Sequence, residues 1–130
     1  MPSRQDLELS KNRTLPAQNT NNNSASIDLG TATQFEVGSN TEVEVYVPAT
    51  ACATGQTITV TIQDSADDSS FAQVAQLETL VLTGSSNATA ATTRKWRLPS
   101  TVRRYIRMNV ACSATTGDLT ANTATFKLLT

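Results

Sequence analysis

The chain has 130 residues and a mass of 13.8 kDa, with ten Lys and Arg against eleven Asp and Glu, giving a net charge of −1, and no histidine. That is room for one domain with one core. Near-neutral charge excludes a general attraction to nucleic acid or anionic membrane, and the missing histidine removes the common general base, triad partner and catalytic zinc ligand. Aromatic residues make up 5% and charged residues 16%, while Thr and Ser together fill about a quarter of the chain. Thr favours the pleated surface of strands and Ser favours turns, so the composition suits an all-β protein built for binding.

Residues 1–24 differ in pattern from the rest of the chain and predict an extended N-terminal arm. Leu7 and Leu9 fall on one face of a short extended segment, and then Pro16 and the polar run from Gln18 to Ser24 show no apolar periodicity. A stretch of this kind buries too little surface to offset its ordering entropy. Fully extended, about 24 residues reach roughly 80 Å. The competing expectation is a frayed terminus without a role. Met1 to Asp6 lacks the apolar stretch of a secretory signal, and no apolar run approaches the roughly 18 residues that cross a bilayer, so a soluble product made in a cytoplasm is expected.

Residues 25–130 predict one β-sandwich domain. Val43, Val45 and Val47 alternate with Glu44 and Tyr46; Ile58, Val60 and Ile62 alternate with threonines; Ile106, Met108 and Val110 alternate with Arg107 and Asn109. Trp96 and Leu98 flank Arg97, and Phe126 and Leu128 flank Lys127. Period two places one face on a core and the other in solvent, as in antiparallel sheets packed face to face. Turn residues separate these segments at 38–40, 54–55, 64–70, 84–87, 99–100 and 116–118. The pattern predicts seven or eight strands in a two-sheet sandwich or jelly roll. Phe71, Val74, Leu77 and Leu80 also fit a helical stripe; a strand from Val74 to Leu82 is the expectation, with a helical turn near Phe71 as its competitor.

Cys52 and Cys112 match no metal-ligand spacing and are expected to be buried free thiols, with a disulfide as the alternative. Asp64, Asp67 and Asp68 form an acidic loop. Its spacing differs from an EF-hand, so a turn whose carboxylates cap local amides is favoured over a Ca²⁺ site. No Lys or Arg occurs between Thr14 and Thr93, whereas Arg94, Lys95, Arg97, Arg103, Arg104 and Arg107 then come in close succession. This block suits either electrostatic complementarity to a protein partner or internal pairing with Glu42, Glu44 or Glu78. No phosphate loop or metal-ligand cluster is apparent, and neither an enzyme nor a bound cofactor is expected. A glycosidase-like pair of carboxylates is the residual catalytic reading.

Ile27-Asp28-Leu29-Gly30, then Asp67-Asp68 leading to Phe71, then Leu98-Pro99 running into Arg104-Tyr105-Ile106-Arg107-Met108-Asn109, resemble the small jelly-roll capsid cement proteins of tailed bacteriophages, the group typified by a Bordetella phage. The sequence departs from that group at Thr120 to Thr130, which lacks the usual glycine before the last strand. The resemblance implies a decoration protein on the outer capsid surface of the virion, stapling neighbouring major capsid protein subunits. It also implies a homo-oligomer, with a dimer favoured over a trimer, and neither nucleic acid nor membrane as partner. On this reading Leu7 and Leu9 anchor the arm on a capsid neighbour, and Arg103, Tyr105 and Arg107 supply a charged, partly aromatic contact. The alternative is a carbohydrate- or receptor-binding module of a phage fibre or spike, which calls for exposed aromatics, whereas Trp96 is expected to face inward and Tyr46 and Tyr105 are isolated.

Overall fold

The computed structural model describes residues 10–15, 21–28, 42–99, 102–113 and 122–129, and every regular element among them is a β-strand. In chain order these are β1 (Ser10–Thr14), β2 (Asn21–Asn23), β3 (Ile27–Asp28), β4 (Glu42–Val47), β5 (Thr57–Ser65), β6 (Ala72–Gln73), β7 (Leu80–Thr83), β8 (Thr92–Arg97), β9 (Tyr105–Cys112) and β10 (Thr123–Leu129). A four-stranded sheet runs β1-β10-β4-β8. A six-stranded sheet runs β2-β9-β5-β6, with β3 also on β9 and β7 also on β5. All these pairings are antiparallel.

The order defines a jelly roll. β2 and β3 both lie on β9, and β6 and β7 both lie on β5, so each couple acts as one interrupted strand. Eight positions result, and successive ones fall into the two sheets as 1-8-3-6 and 2-7-4-5, the double Greek key of a jelly roll.

The apolar alternation builds the core between the sheets. Val43, Val45, Val47, Ile58, Val60, Ile62, Ile106, Met108, Val110, Phe126 and Leu128 are all buried. Each such side chain contributes about 1.5–3 kcal/mol when fully removed from water. The register Phe126↔Val45 and Val60↔Val110 carries these residues onto the inner faces together. Trp96 faces inward as expected, opposite Val43, and its indole N–H is buried without an acceptor.

Two expectations change. Much of the predicted arm is paired into the sandwich: β1 pairs with β10, and β2 pairs with β9. Leu15 is fully buried and its N–H donates to the Asn122 carbonyl at 2.9 Å. Polar bonds replace the missing apolar periodicity. Asn22 Nδ2 donates to the Thr14 carbonyl, Asn109 Nδ2 to Asn23 Oδ1, the Ser24 N–H to the Met108 carbonyl, and the Met108 N–H to Ser24 Oγ. Residues 1–9, including Leu7 and Leu9, lie outside the described residues.

The second change concerns the predicted strand from Val74 to Leu82. Val74 to Leu77 instead closes a tight turn in which the Leu77 N–H donates to the Val74 carbonyl at 3.0 Å, and β7 begins at Leu80. Val74, Leu77 and Leu80 are all buried, so the spacing of three reflects a turn that drops one apolar side chain per step into the core.

Several predicted turns appear in place. Gly55 has φ +85°, the left-handed region that suits glycine. Ser86 and Asn87 have φ of 54° and 60° between the bridged pair Ser85 and Ala88, a two-residue bend of the mirror-image type that tight hairpins prefer. The turns predicted at 38–40 and 116–118 lie outside the described residues.

Candidate interaction surface

The two outer faces differ in chemistry. On the four-stranded sheet Glu44 stands between Lys95 and Lys127, with nitrogen–oxygen separations of 3.7 and 3.3 Å, and Arg97 stands opposite Glu42. This ladder joins β8, β4 and β10 and meets its own charge. Lys95 therefore bears out the internal-pairing reading. Exposed pairs of this kind are worth less than about 1 kcal/mol each, and their role is register more than stability.

On the six-stranded sheet the outward residues run in rows fixed by the register. Asn23, Asn109 and Thr61 form one row, and Asn21, Ala111, Thr59 and Val81 the next. Both rows are uncharged, and Val81 is 52% exposed. Charge gathers at the other end of the face, where β9 begins.

Here Asp64, the penultimate residue of β5 and only 8% exposed, holds the approach to β9. Arg103 donates to its carboxylate from the backbone N–H (3.0 Å), from Nε (3.0 Å) and from Nη2 (2.8 Å), and Nη2 also donates to the Asp64 carbonyl. The side-chain bonds to Asp64 raise the Arg103 pKa above its ordinary value. Arg104 makes a two-pronged bond to Asp28, with Nε and Nη2 at 2.8 and 2.9 Å from the carboxylate, and its guanidinium lies 5.0 Å from the Tyr105 ring centroid. Asp28 and Tyr105 are register partners, so β3 and β9 bring this trio together.

The Arg107 guanidinium carbon lies over Phe71, 3.9 Å from the ring centroid, and Nε donates to Gln63 Oε1 at 2.7 Å. Desolvation pushes its pKa down, and only the charge of Asp68 opposes that. Of the predicted trio, half-buried Tyr105 and Arg107 share the outward side of β9 and form the floor of the patch, whereas Arg103 turns to Asp64, whose register partner is the buried Ile106. Sequence reasoning missed Phe71 as the platform for Arg107 and Asp28 as the partner of Arg104. No local signal marks either, because the first depends on how the 66–71 loop folds back and the second spans 76 positions.

The acidic loop caps amides, as favoured from its sequence. Asp67 Oδ1 accepts from the N–H groups of Ser69 and Ser70, both at 3.0 Å, and from Ser65 Oγ at 2.9 Å. Bonds from Ser70, then Ser65, then Ser69 lower its pKa. Asp64 faces Arg103 instead, so the two carboxylates serve different partners. A group with a lowered folded pKa stabilises fully above its unfolded value, about 3.9 for Asp, and loses that stabilisation as pH falls through the folded value. Melting curves should therefore show Asp67→Asn less stable than the parent at pH 7. The gap should close below about pH 4, in the range where the parent carboxylate takes up its proton. A gap that stays constant to low pH would show that the charge of Asp67 is irrelevant.

A chain with two antiparallel sheets in this strand order belongs to the class of β-sandwich proteins with a jelly-roll path. The Bbp16 family profile matches residues 10–127, the whole sandwich from β1 into β10. The chain therefore belongs to the Bbp16 family, a Bordetella phage protein family. Among curated proteins none matches the chain.

Proposed function

We propose that the protein is a capsid cement protein, non-catalytic, which binds the outer surface of a phage head and links neighbouring major capsid subunits. Membership of a phage protein family across the full jelly roll carries this reading. The six-stranded face supports it. A broad, uncharged Thr- and Asn-rich field suits extended contact with another protein, and the Arg107–Phe71 and Arg104–Tyr105 pairs supply aromatic and arginine groups of the kind that dominate binding energy at interfaces. Arg103 acts in this site through Asp64, by fixing where β9 starts. Leu7 and Leu9 add apolar anchors ahead of β1. Self-association as a dimer would double each contact, and many modest contacts on a symmetric shell add up through multivalency.

Purified heads lacking the protein provide the test. The parent chain should bind them and raise their resistance to heat. Tyr105→Ala combined with Arg107→Ala should weaken binding at least about tenfold, the effect of losing roughly 1.4 kcal/mol at an interface anchor. Removing residues 2–9 should weaken it comparably while leaving the sandwich folded. Lys95→Ala on the opposite face should bind like the parent. A parent chain that ignores the heads would sink the cement reading, and full binding by the double variant would move the contact to another face.

A further inference from the structure

We propose that Arg107 is the receptor for a single carboxylate, an Asp or Glu side chain presented by the major capsid protein. The identity of that partner rests on the cement reading, and the chemistry rests on Arg107 and its surroundings. Three guanidiniums gather where β9 begins, and two of them are already matched. Arg103 holds Asp64, with Nη2 at 2.8 Å from the carboxylate, and Arg104 grips Asp28 with two prongs. Arg107 pairs with no carboxylate among the described residues. Its Nε bond at 2.7 Å goes to the neutral amide of Gln63, and beneath it lies the Phe71 ring, with 3.9 Å from guanidinium carbon to centroid.

The register explains why no carboxylate meets it. Opposite Arg107 stands Gln63 of β5, and opposite Gln63 stands Gln73 of β6. This row carries amides where the other sheet sets Glu44 opposite Lys95. Gln73 turns its own amide to Thr79 Oγ1 at 3.1 Å, and Asn109, the next outward residue of β9, bonds Asn23. Asp68 belongs to the same loop as Phe71 and is exposed, yet it forms no ion pair with Arg107.

This arrangement suits one carboxylate. Ring and amide together hold the guanidinium, and its two Nη groups, which make no hydrogen bond among the described residues, are left as a fork of the shape that a carboxylate accepts. The side chain is already half-buried and its position fixed, so binding costs it little further ordering or dehydration. Partial removal from water also strengthens the attraction to an incoming anion. A polyanion fits poorly. Asp28 and Asp64 stand beside the other two guanidiniums, Asp67 and Asp68 lie on the loop that carries Phe71, and a phosphate backbone calls for several unmatched cations at once. One matched pair at this end would fix the orientation of the whole uncharged face on its partner.

The test compares the parent and Arg107→Gln on purified heads lacking the protein, before and after the exposed carboxylates of the heads are capped with glycinamide by carbodiimide coupling. The parent should bind untreated heads at least about tenfold more tightly than Arg107→Gln. Capping should bring the parent down to the level of the variant and leave the variant unchanged. Asp68→Asn, which removes the competing charge, should bind at least as tightly as the parent. Four results would each overturn the proposal: parent binding that survives capping, a fall as large in the variant as in the parent, Arg107→Gln that binds as the parent does, or Asp68→Asn that binds as weakly as Arg107→Gln. The capping arm uses the unaltered protein, so it decides the question even if Arg107→Gln folds poorly. A parent that ignores untreated heads ends the cement reading and this inference with it, a result distinct from binding that is indifferent to capping.

Discussion

Gly84→Ala is expected to cost about 3 kcal/mol or more, read as a fall in the urea midpoint at unchanged slope. Gly84 comes directly after β7 and is buried where the chain meets the segment carrying Cys52. Its N–H donates to the Gln56 carbonyl at 2.8 Å, and its own carbonyl accepts from the Gly55 N–H at 3.1 Å. A Cβ added there would lie against the Ala53 carbonyl oxygen and 2.5 Å from that of Cys52. Both are backbone atoms held by hydrogen-bonded neighbours, so no side chain can swing aside. Relief must separate β7 from the 52–56 turn and break the bonds that join them.

Gly55 provides the contrast. Its φ is +85°, and an added Cβ would meet nothing within 4 Å. Gly55→Ala should therefore cost only the backbone penalty of a left-handed alanine, about 1–2 kcal/mol. The two glycines are needed for different reasons, close approach at Gly84 and positive φ at Gly55. Equal losses at the two positions would contradict that separation.

The same division between local and long-range causes explains what the sequence disclosed. β4, β5, β9 and β10 are inner strands, each with neighbours on both sides and one buried face, so alternate apolar residues mark them plainly. β1 reads Ser-Lys-Asn-Arg-Thr and β2 reads Asn-Asn-Asn, and both are edge strands held by backbone pairing and amide side chains. Periodicity reports burial and not pairing, so these edges read as an arm. The candidate surface obeys the same rule. A block of cations was visible, and Lys95 with Glu44 is foreseeable from neighbouring strands of alternating charge. Arg103 with Asp64 needs β9 beside β5, and Arg104 with Asp28 needs β3 beside β9; only the jelly-roll path supplies those adjacencies.

Adjacent residues of β10 give the sharpest test of the inner and outer faces. Phe126→Ala should cost about 4 kcal/mol, in the range measured for a large aromatic lost from a packed core. Phe126 is fully buried and faces the core from a strand paired on both sides, opposite Lys11 of β1 and Val45 of β4. The cavity left behind is bordered by ladder hydrogen bonds, which limit collapse and push the cost toward the upper part of the range. A domain of this size has about 5–15 kcal/mol of stability, so the loss is a large fraction of the whole. Lys127→Ala, one residue later, removes an ammonium 3.3 Å from Glu44 on the outer face. That change should shift stability by no more than about 1 kcal/mol, because Lys95 still faces the same carboxylate. Chemical denaturation of the two variants side by side measures both. Comparable losses would mean that β10 is not seated with Phe126 inward, and the pairing of β1 and β4 through it would have to be redrawn.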